Sequence, residues 1–136
     1  MTAARYDLTI DQGSDFSLEL TVKESGSLKN LSGWHGRAML RKTPESEITK
    51  TFVVSTHVGT DSTDSSTYGV QPADKVGKVT MSMPYTSTDD VTAGVYNYDL
   101  EIYYNGSGNS NTAEVGATQV KRLIGGTATV RREITR

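Results

Sequence analysis

The chain has 136 residues, the size of one domain, and its 14 basic and 16 acidic side chains leave a net charge of −2. This near-neutral balance gives no bulk attraction for nucleic acid or for acidic membranes, so we expect neither as a partner. The absence of cysteine excludes disulfides, thiolate nucleophiles and cysteine-ligated metal centres.

Two alternating runs open the chain. Apolar and polar side chains alternate over residues 6–11 and again over residues 16–22, which predicts two half-buried strands. Between them, Gln12-Gly13-Ser14 has the composition of a tight turn. We therefore predict that the two strands form a hairpin.

The next predicted strand covers residues 34–42. Its alternation places Trp34 on the inward face and His35 on the polar face. Pro44 ends this strand because proline cannot donate a hydrogen bond to the ladder. A further β-rich run follows over residues 48–54.

The middle of the chain, residues 55–75, is rich in Ser, Thr, Asp and Gly, which predicts a mobile surface loop. Residues 79–83 resume the strand-like alternation until Pro84 stops it. Either Ser87 or Thr88 is then expected to cap a single helical turn.

The last third of the chain predicts two long antiparallel strands, at residues 96–102 and 120–130, joined by a long polar loop. The tyrosines of the first strand, Tyr96 and Tyr98, share a face with its aliphatic side chains, so we expect them in the core. The pair Gly125-Gly126 predicts a β-bulge in the second strand.

Together these elements predict one all-β domain over residues 1–136. The expected architecture is an antiparallel β-sandwich of seven or eight strands with at most one short helix. A small closed barrel is the alternative. A parallel α/β sheet is not expected, because the sequence shows no alternation of helical and strand patterns.

The sequence shows no constellation typical of a metal site. His35 and His57 are the only histidines, and their spacing matches no zinc-binding pattern. Asp61 and Asp64 lie in the polar loop without the glycine placement and terminal glutamate of a helix–loop–helix calcium site. A solvated loop explains this pair better, so we predict no metal site and no cofactor.

Catalytic motifs are also missing from the sequence. The adjacent Asp89 and Asp90 fit the start of a helix better than a pair of catalytic carboxylates, which must converge on one substrate. No Gly-x-Ser-x-Gly nucleophile elbow and no phosphate-cradling loop is present. We predict no catalytic residue and expect that the protein is not an enzyme.

A protein contact is the remaining role that the residues suggest. Tyr103 and Tyr104 straddle both faces at a strand end, so we expect one ring to be exposed and available to a partner. Lys121, Arg122 and the arginines at the C-terminus are explained either by a charged edge that resists stray pairing, which we favour, or by a docking edge for an acidic neighbour. The predicted interface consists of Tyr103, Tyr104, Asn105, Asn109, Arg131, Arg132 and Arg136.

Four segments occur in this order along the chain: YDLTIDQG (6–13) with Phe16, LSGW (31–34) with RAMLR (37–41), AGVYNYDLE (93–101), and RLIGGT (122–127) with EITR (133–136). Together they resemble small tail-associated proteins of tailed bacteriophages. In that family an opening Gln-Gly is followed after two residues by an aromatic, a strand carries Ala-x-Met, and a later strand carries Tyr-x-Tyr-Asp-Leu-Glu. The resemblance extends more distantly to the N-terminal domain of baseplate upper proteins.

The resemblance implies an immunoglobulin-like β-sandwich built into a virion, present in several copies, with other virion proteins as partners and no catalytic residue. The loops at 55–75 and 105–118 are longer than the family pattern, which leaves the position in the particle open. A structural protein of the tail or baseplate is the main hypothesis. A capsid decoration protein and a glycan- or receptor-binding module are the alternatives.

The same hypothesis places synthesis in the host cytoplasm and the finished protein in the virion. Residues 1–5 lack the apolar stretch of a secretory signal, and no apolar run approaches the length of a membrane span. We therefore expect a soluble chain that assembles with other proteins.

Overall fold

A computed structural model describes residues 4–43, 45–59, 69–104 and 119–133. Within these ranges the chain forms ten strands, one turn of α-helix and one 3-10 turn at Ala73–Lys75. The elements are β1 (Ala4–Arg5), β2 (Leu8–Asp11), β3 (Phe16–Thr21), β4 (Lys23–Glu24), β5 (Ser27–Leu28), β6 (Trp34–Arg41), β7 (Ile48–Ser55), β8 (Lys78–Met83), α1 (Tyr85–Thr88), β9 (Gly94–Tyr104) and β10 (Gln119–Arg131). The all-β prediction is therefore confirmed.

Most strands follow one continuous path of hydrogen-bonded neighbours. Its order is β1-β10-β9-β6-β7-β8-β3, with β2 also paired to β10, while β4 and β5 form a separate hairpin. Strand β7 pairs with β6 up to Phe52 and with β8 from Val53 onwards. The sheet therefore curls at β7 into an open half-barrel.

The prediction that every strand pair is antiparallel is wrong. Both β1 and β2 run parallel to β10, with Ala4 opposite Ile124 and Leu8 opposite Ala128. The other pairs of the sheet are antiparallel. Alternation along a strand identifies its buried face but not the direction of its neighbour, so the sequence could not distinguish the two cases. The immunoglobulin-like sandwich stays a prediction.

The predicted opening hairpin is also wrong, because β2 pairs with β10 whereas β3 pairs with β8. The turn between them is held by Gln12, which is buried. Its side chain donates to the Val91 carbonyl at 2.7 Å and accepts from the Glu133 N–H at 3.1 Å. These bonds anchor the turn to other elements, and the chain passes from one end of the sheet path to the other.

The core contains the inward residues that alternation predicted. Trp34, Ala38 and Leu40 of β6 are buried, as are Tyr96 and Tyr98 of β9. The side chains of β8 that face the same core are also buried: Val79, Met81 and Met83. The inward assignment of these strands is therefore confirmed.

The predicted bulge at Gly125-Gly126 lies slightly earlier in β10. The register with β9 shifts between Arg122 and Ile124, so Leu123 is the additional residue. Gly126 has a different role, since a Cβ there would lie 2.9 Å from the Tyr6 carbonyl oxygen. The glycine lets the chain between β1 and β2 approach β10 closely.

The helical turn also begins earlier than predicted. It spans Tyr85–Thr88, with Pro84 rather than Ser87 or Thr88 at its N-terminal cap position. Asp15 accepts a hydrogen bond from the Tyr85 N–H at 2.7 Å. This N–H lies in the first turn, where a Ser or Thr at the cap position would otherwise accept the bond. Asp89 and Asp90 consequently follow the helix instead of starting it.

Part of the predicted mobile loop at 55–75 is built into the fold. Gln71 is buried, and its amide oxygen accepts from the N–H groups of Leu31 at 2.7 Å and Gly77 at 3.1 Å. Its nitrogen donates to the carbonyls of Thr56 at 2.7 Å and Lys78 at 3.2 Å. Residues 60–68 of the predicted loop lie outside the described residues, as does Pro44.

Candidate interaction surface

The outward face of β6, β9 and β10 presents mainly polar residues in three rows across the strands. Cross-strand register sets each row, because residues directly opposite each other point to the same face. The rows are Arg37–Glu101–Arg122, Met39–Asp99–Gly125 and Arg41–Asn97–Thr127. We call this set the three-row face.

Ion pairs connect the first two rows. Arg37 contacts Glu101 through its Nε and its terminal nitrogen, and both side chains are largely shielded from solvent. Arg122 instead reaches diagonally to Asp99, with 3.2 Å between Nε and Oδ2. This second pair is more exposed, so water and salt screen it more strongly.

The third row is held by backbone carbonyls. Arg41 donates to the Ser46 carbonyl at 2.5 Å, and Asn97 donates to the Lys42 carbonyl at 3.1 Å. These bonds fix both side chains against the β6–β7 connection. The polar groups of the face are therefore preorganised on rigid strands.

A shallow, open groove of about 720 Å³ runs over this face. Gly125 has no side chain, so the middle row forms the floor of the groove between two rows that contain arginines. Met39 makes part of this floor apolar. Arg5 of β1 lines the groove beside β10. The groove thus combines a partly apolar floor with guanidinium groups, which suits contact with a protein surface.

The β1 side of the groove is held to β10 by Asp7. Its carboxylate accepts from the Thr127 N–H at 3.0 Å and lies 3.4 Å from Arg5. The backbone hydrogen bond from Thr127, together with Arg5, lowers the pKa of Asp7. Asp7 thus contacts both β10 and Arg5 at this side of the groove.

One end of this polar face is closed by the rings of His35 and Tyr103. His35 and Tyr103 are both 3% exposed, and their ring centroids are 5.9 Å apart. Burial raises the pKa of Tyr103, an effect that nearby Arg37 opposes. His35 lies on the same face of β6 as Arg37, as expected, but it is buried there rather than exposed.

The tyrosine pair predicted to supply an exposed ring does not do so. Tyr103 is buried, and Tyr104 is half-buried, with its ring centroid 5.5 Å from that of Trp34. An interface role for either ring stays a prediction. Asn105, Asn109 and Arg136 of the predicted interface lie outside the described residues.

The basic residues near the C-terminus lie beside carboxylates of this same chain. Arg131 binds Asp11 at 2.6 Å, and Lys121 lies 3.9 Å from Glu24. The Arg131 hydrogen bond lowers the pKa of Asp11. Arg132 is exposed at a separate shallow depression beside Asp90. Arg131 and Lys121 are therefore explained by carboxylates of this chain, whereas docking of the C-terminal basic residues to an acidic neighbour stays a prediction.

The candidate metal ligands do not converge in the part of the chain that the structure describes. Within those ranges no group of three or more His, Asp or Glu side chains is placed to hold an ion. His57 has its Nε2 2.9 Å from the Thr80 hydroxyl. Asp61 and Asp64 lie outside the described residues.

The three-row face was not identified from the sequence, although part of its signal is visible there. Alternation places Arg37, Met39 and Arg41 together, but it does not show which residues of β9 and β10 lie opposite them. That pairing depends on cross-strand register and on the bulge at Leu123. No motif in the sequence specifies either one.

No protein-family model matches this chain, and a search of curated proteins finds no match. None of the helices in the described ranges has the length and apolar character needed to cross a bilayer.

Proposed function

We propose that this protein is a non-enzymatic structural component of a bacteriophage virion, in the tail or baseplate, that docks neighbouring subunits through the three-row face. The resemblance of four segments to tail-associated proteins supports the virion role. The observation that carries the docking role is the open groove on rigid strands, in which Arg37, Arg41 and Arg122 surround a partly apolar floor. Guanidinium groups and apolar area together are typical of protein contacts.

We also propose that the curled sheet is an immunoglobulin-like sandwich in which β7 joins the two layers. The pair β3–β8 and the group β6–β9–β10 match the pairings of strands B–E and C–F–G in that fold. Trp34 begins the strand that corresponds to C. Tyr96 donates through its hydroxyl to the Thr92 carbonyl at 2.6 Å, four residues upstream, as in the tyrosine corner of that fold.

The glycan-binding alternative has weaker support. It requires exposed aromatic rings for stacking, and Tyr6 and Tyr85 are exposed while Trp34 is buried. These two tyrosines belong to different elements, the β1–β2 connection and α1. A glycan array probed with the purified chain tests this alternative, and a signal that disappears in Tyr6→Ala or Tyr85→Ala would favour it over docking.

The virion role is tested by locating the chain in purified phage particles. Gold-labelled antibody against the chain should mark the tail or baseplate in electron micrographs. Even labelling of the capsid would favour the decoration alternative. Detection in the lysate but not in purified particles would overturn the virion role.

The docking surface is tested by complementing a phage that lacks the gene. Arg122→Glu should fold normally, since Arg122 is an exposed side chain, yet reduce infectious particles at least tenfold because it reverses charge in the groove. Arg132→Glu is the matched comparison, because that exposed arginine lies away from the groove. Loss of infectivity in Arg132→Glu alone would assign docking to the C-terminal residues instead.

A further inference from the structure

Strand β3 has a hydrogen-bonded neighbour on one side only within the described residues. Val22 donates to the Gly77 carbonyl at 2.7 Å and accepts from the Lys29 N–H at 3.0 Å. Backbone groups in an antiparallel ladder alternate in direction, so the even-numbered residues of this segment face β8 and β5. The N–H and C=O groups of Ser17, Glu19, Thr21 and Lys23 therefore point to the other side. We call this side the open edge.

The missing neighbour is also visible in the packing of apolar side chains. Phe16, Leu18 and Leu20 point inward from β3 but are only half-buried. Their cross-strand partners on β8 are fully buried, with Leu18 opposite Met81 and Leu20 opposite Val79. An additional strand along the open edge would cover this remaining apolar surface and satisfy the edge backbone groups.

The charges along the open edge are arranged symmetrically about Thr21. Glu19 lies two residues before it and Lys23 two residues after it. An antiparallel pair of identical edges related by a two-fold axis at Thr21 places Glu19 of each copy opposite Lys23 of the other. A two-fold axis at Leu20 or Val22 would place Glu19 or Lys23 opposite the uncharged Thr21, and an axis at Glu19 or Lys23 would place like charges opposite each other. One register is therefore favoured over its neighbours.

We propose that a second copy of this chain occupies the open edge, forming an antiparallel β3–β3 pair centred on Thr21. The pairing supplies about six main-chain hydrogen bonds, two at the central pair and two at each Glu19–Lys23 pair. It also joins the two sheets into one continuous sheet across the dimer. This proposal does not depend on the virion role and concerns a surface separate from the three-row face.

A contact through one edge is small, so the dimer is weak in solution. We expect a dissociation constant on the order of 100 µM, since the buried area falls below that of a standard interface. Several copies held close together in an assembly would raise the effective concentration above this value. The dimer should also weaken as salt screens its two charge pairs.

The decisive experiment measures self-association by analytical ultracentrifugation between about 10 µM and 1 mM protein, where a dissociation constant on the order of 100 µM becomes measurable. Lys23→Glu should weaken association at least tenfold, because it places two carboxylates opposite each other at both ends of the pair. Glu19→Lys should do the same with two ammonium groups, although it also removes the contact of Glu19 with Lys78 at 3.9 Å. Circular dichroism melts establish that each variant is folded.

Mixing the two single variants distinguishes edge pairing from any other mode of association. Lys23→Glu carries two acidic residues on its edge and Glu19→Lys carries two basic ones, so an equimolar mixture should form heterodimers although neither variant self-associates. The double variant with both exchanges should recover association. A wild-type chain that stays monomeric to 1 mM, or an association that Lys23→Glu leaves unchanged, would overturn the proposal.

Discussion

Strands β9 and β3 carry the same alternation of apolar and polar side chains, yet the two strands differ in burial. Tyr98 and Leu100 of β9 are 5% and 0% exposed, because β6 and β10 flank that strand on both sides. Leu18 and Leu20 of β3 remain half-buried, because β8 is the one strand that pairs with β3 in the described part of the chain. The periodicity of a strand thus indicates which face turns inward, whereas the number of neighbouring strands determines how completely that face is buried.

The largest expected effect comes from placing a charge inside β9. Tyr98→Asp should abolish cooperative folding, at a cost of about 4 kcal/mol or more, because it removes a buried ring and leaves a carboxylate in its place. The Tyr98 hydroxyl also donates to the Tyr6 carbonyl, which ties the β1–β2 connection to the core. Thermal melts by circular dichroism measure the loss.

Tyr85→Asp is the matched control for that variant. Tyr85 is 57% exposed on α1, so the same substitution should leave the melting transition nearly unchanged. Retained cooperative melting in Tyr98→Asp would contradict the inward assignment of β9.

A second pair of variants compares the two strands directly. Leu100→Ala should destabilise the protein by about 3–4 kcal/mol and Leu18→Ala by about 1–2 kcal/mol, because the first leaves a closed cavity and the second a site open to water. Urea unfolding at neutral pH measures both values. Equal losses would show that β3 is as well covered as β9.

The buried amide of Gln71 shows how the start of β8, the partner of β3, is held in the fold. Gln71→Glu keeps the size of the side chain but directs carboxylate oxygens at the carbonyls of Thr56 and Lys78. The free energy of unfolding should fall by about 2–3 kcal/mol, because a buried carboxylate oxygen then faces two carbonyl oxygens with no proton between them. Stability should recover partly at acidic pH, where a protonated glutamate can donate one hydrogen bond. A loss below about 0.5 kcal/mol, the usual range of surface substitutions, would mean that this network contributes little.

A smaller effect is expected at alkaline pH. Burial, with nearby Asp7 and Tyr6, raises the pKa of Tyr98 from 10.0 to about 12. The contribution of Tyr98 to the free energy of unfolding is therefore fully present below pH 10. It is lost as the pH rises from 10 to 12, because Tyr98 releases its proton at a lower pH in the unfolded state than in the folded state. Tyr98→Phe should cost about 1 kcal/mol at pH 7 through its lost hydrogen bond.

Comparing Tyr98→Phe with the wild type above pH 10 separates the effect of ionising the Tyr98 hydroxyl from the effect of ring packing. Tyr98→Phe should lose less stability than the wild type between pH 10 and 12, because it has no hydroxyl to ionise at this position. Parallel declines in the two proteins would contradict the assigned pKa shift of Tyr98.

The sequence predicted the strands and their inward faces because side-chain alternation depends on local geometry alone. Trp34 and Tyr96 were placed correctly for this reason. The pairing of β2 and β3 was predicted wrongly, since their partners β10 and β8 are separated from them by long stretches of chain and are selected by the whole core. Gln12, expected in a tight turn, is a buried anchor whose two partners lie in distant segments.

The candidate surfaces were less predictable than the strands. The three-row face requires the register of β9 against two neighbours, and the open edge requires knowing that β3 has one partner among the described strands. One ring of Tyr103 and Tyr104 was expected to be exposed, but Tyr103 is buried beside His35 and Tyr104 is half-buried beside Trp34. Local pattern contains none of this information.

Backbone amide exchange measured by NMR at low protein concentration tests the open edge of β3 most directly. The amides of Leu18 and Leu20, which face β8, should exchange slowly, while those of Glu19, Thr21 and Lys23 should exchange fast and become protected as concentration rises. Slow exchange of both sets at every concentration would contradict the account, because it would show that another part of the same chain already pairs with this edge.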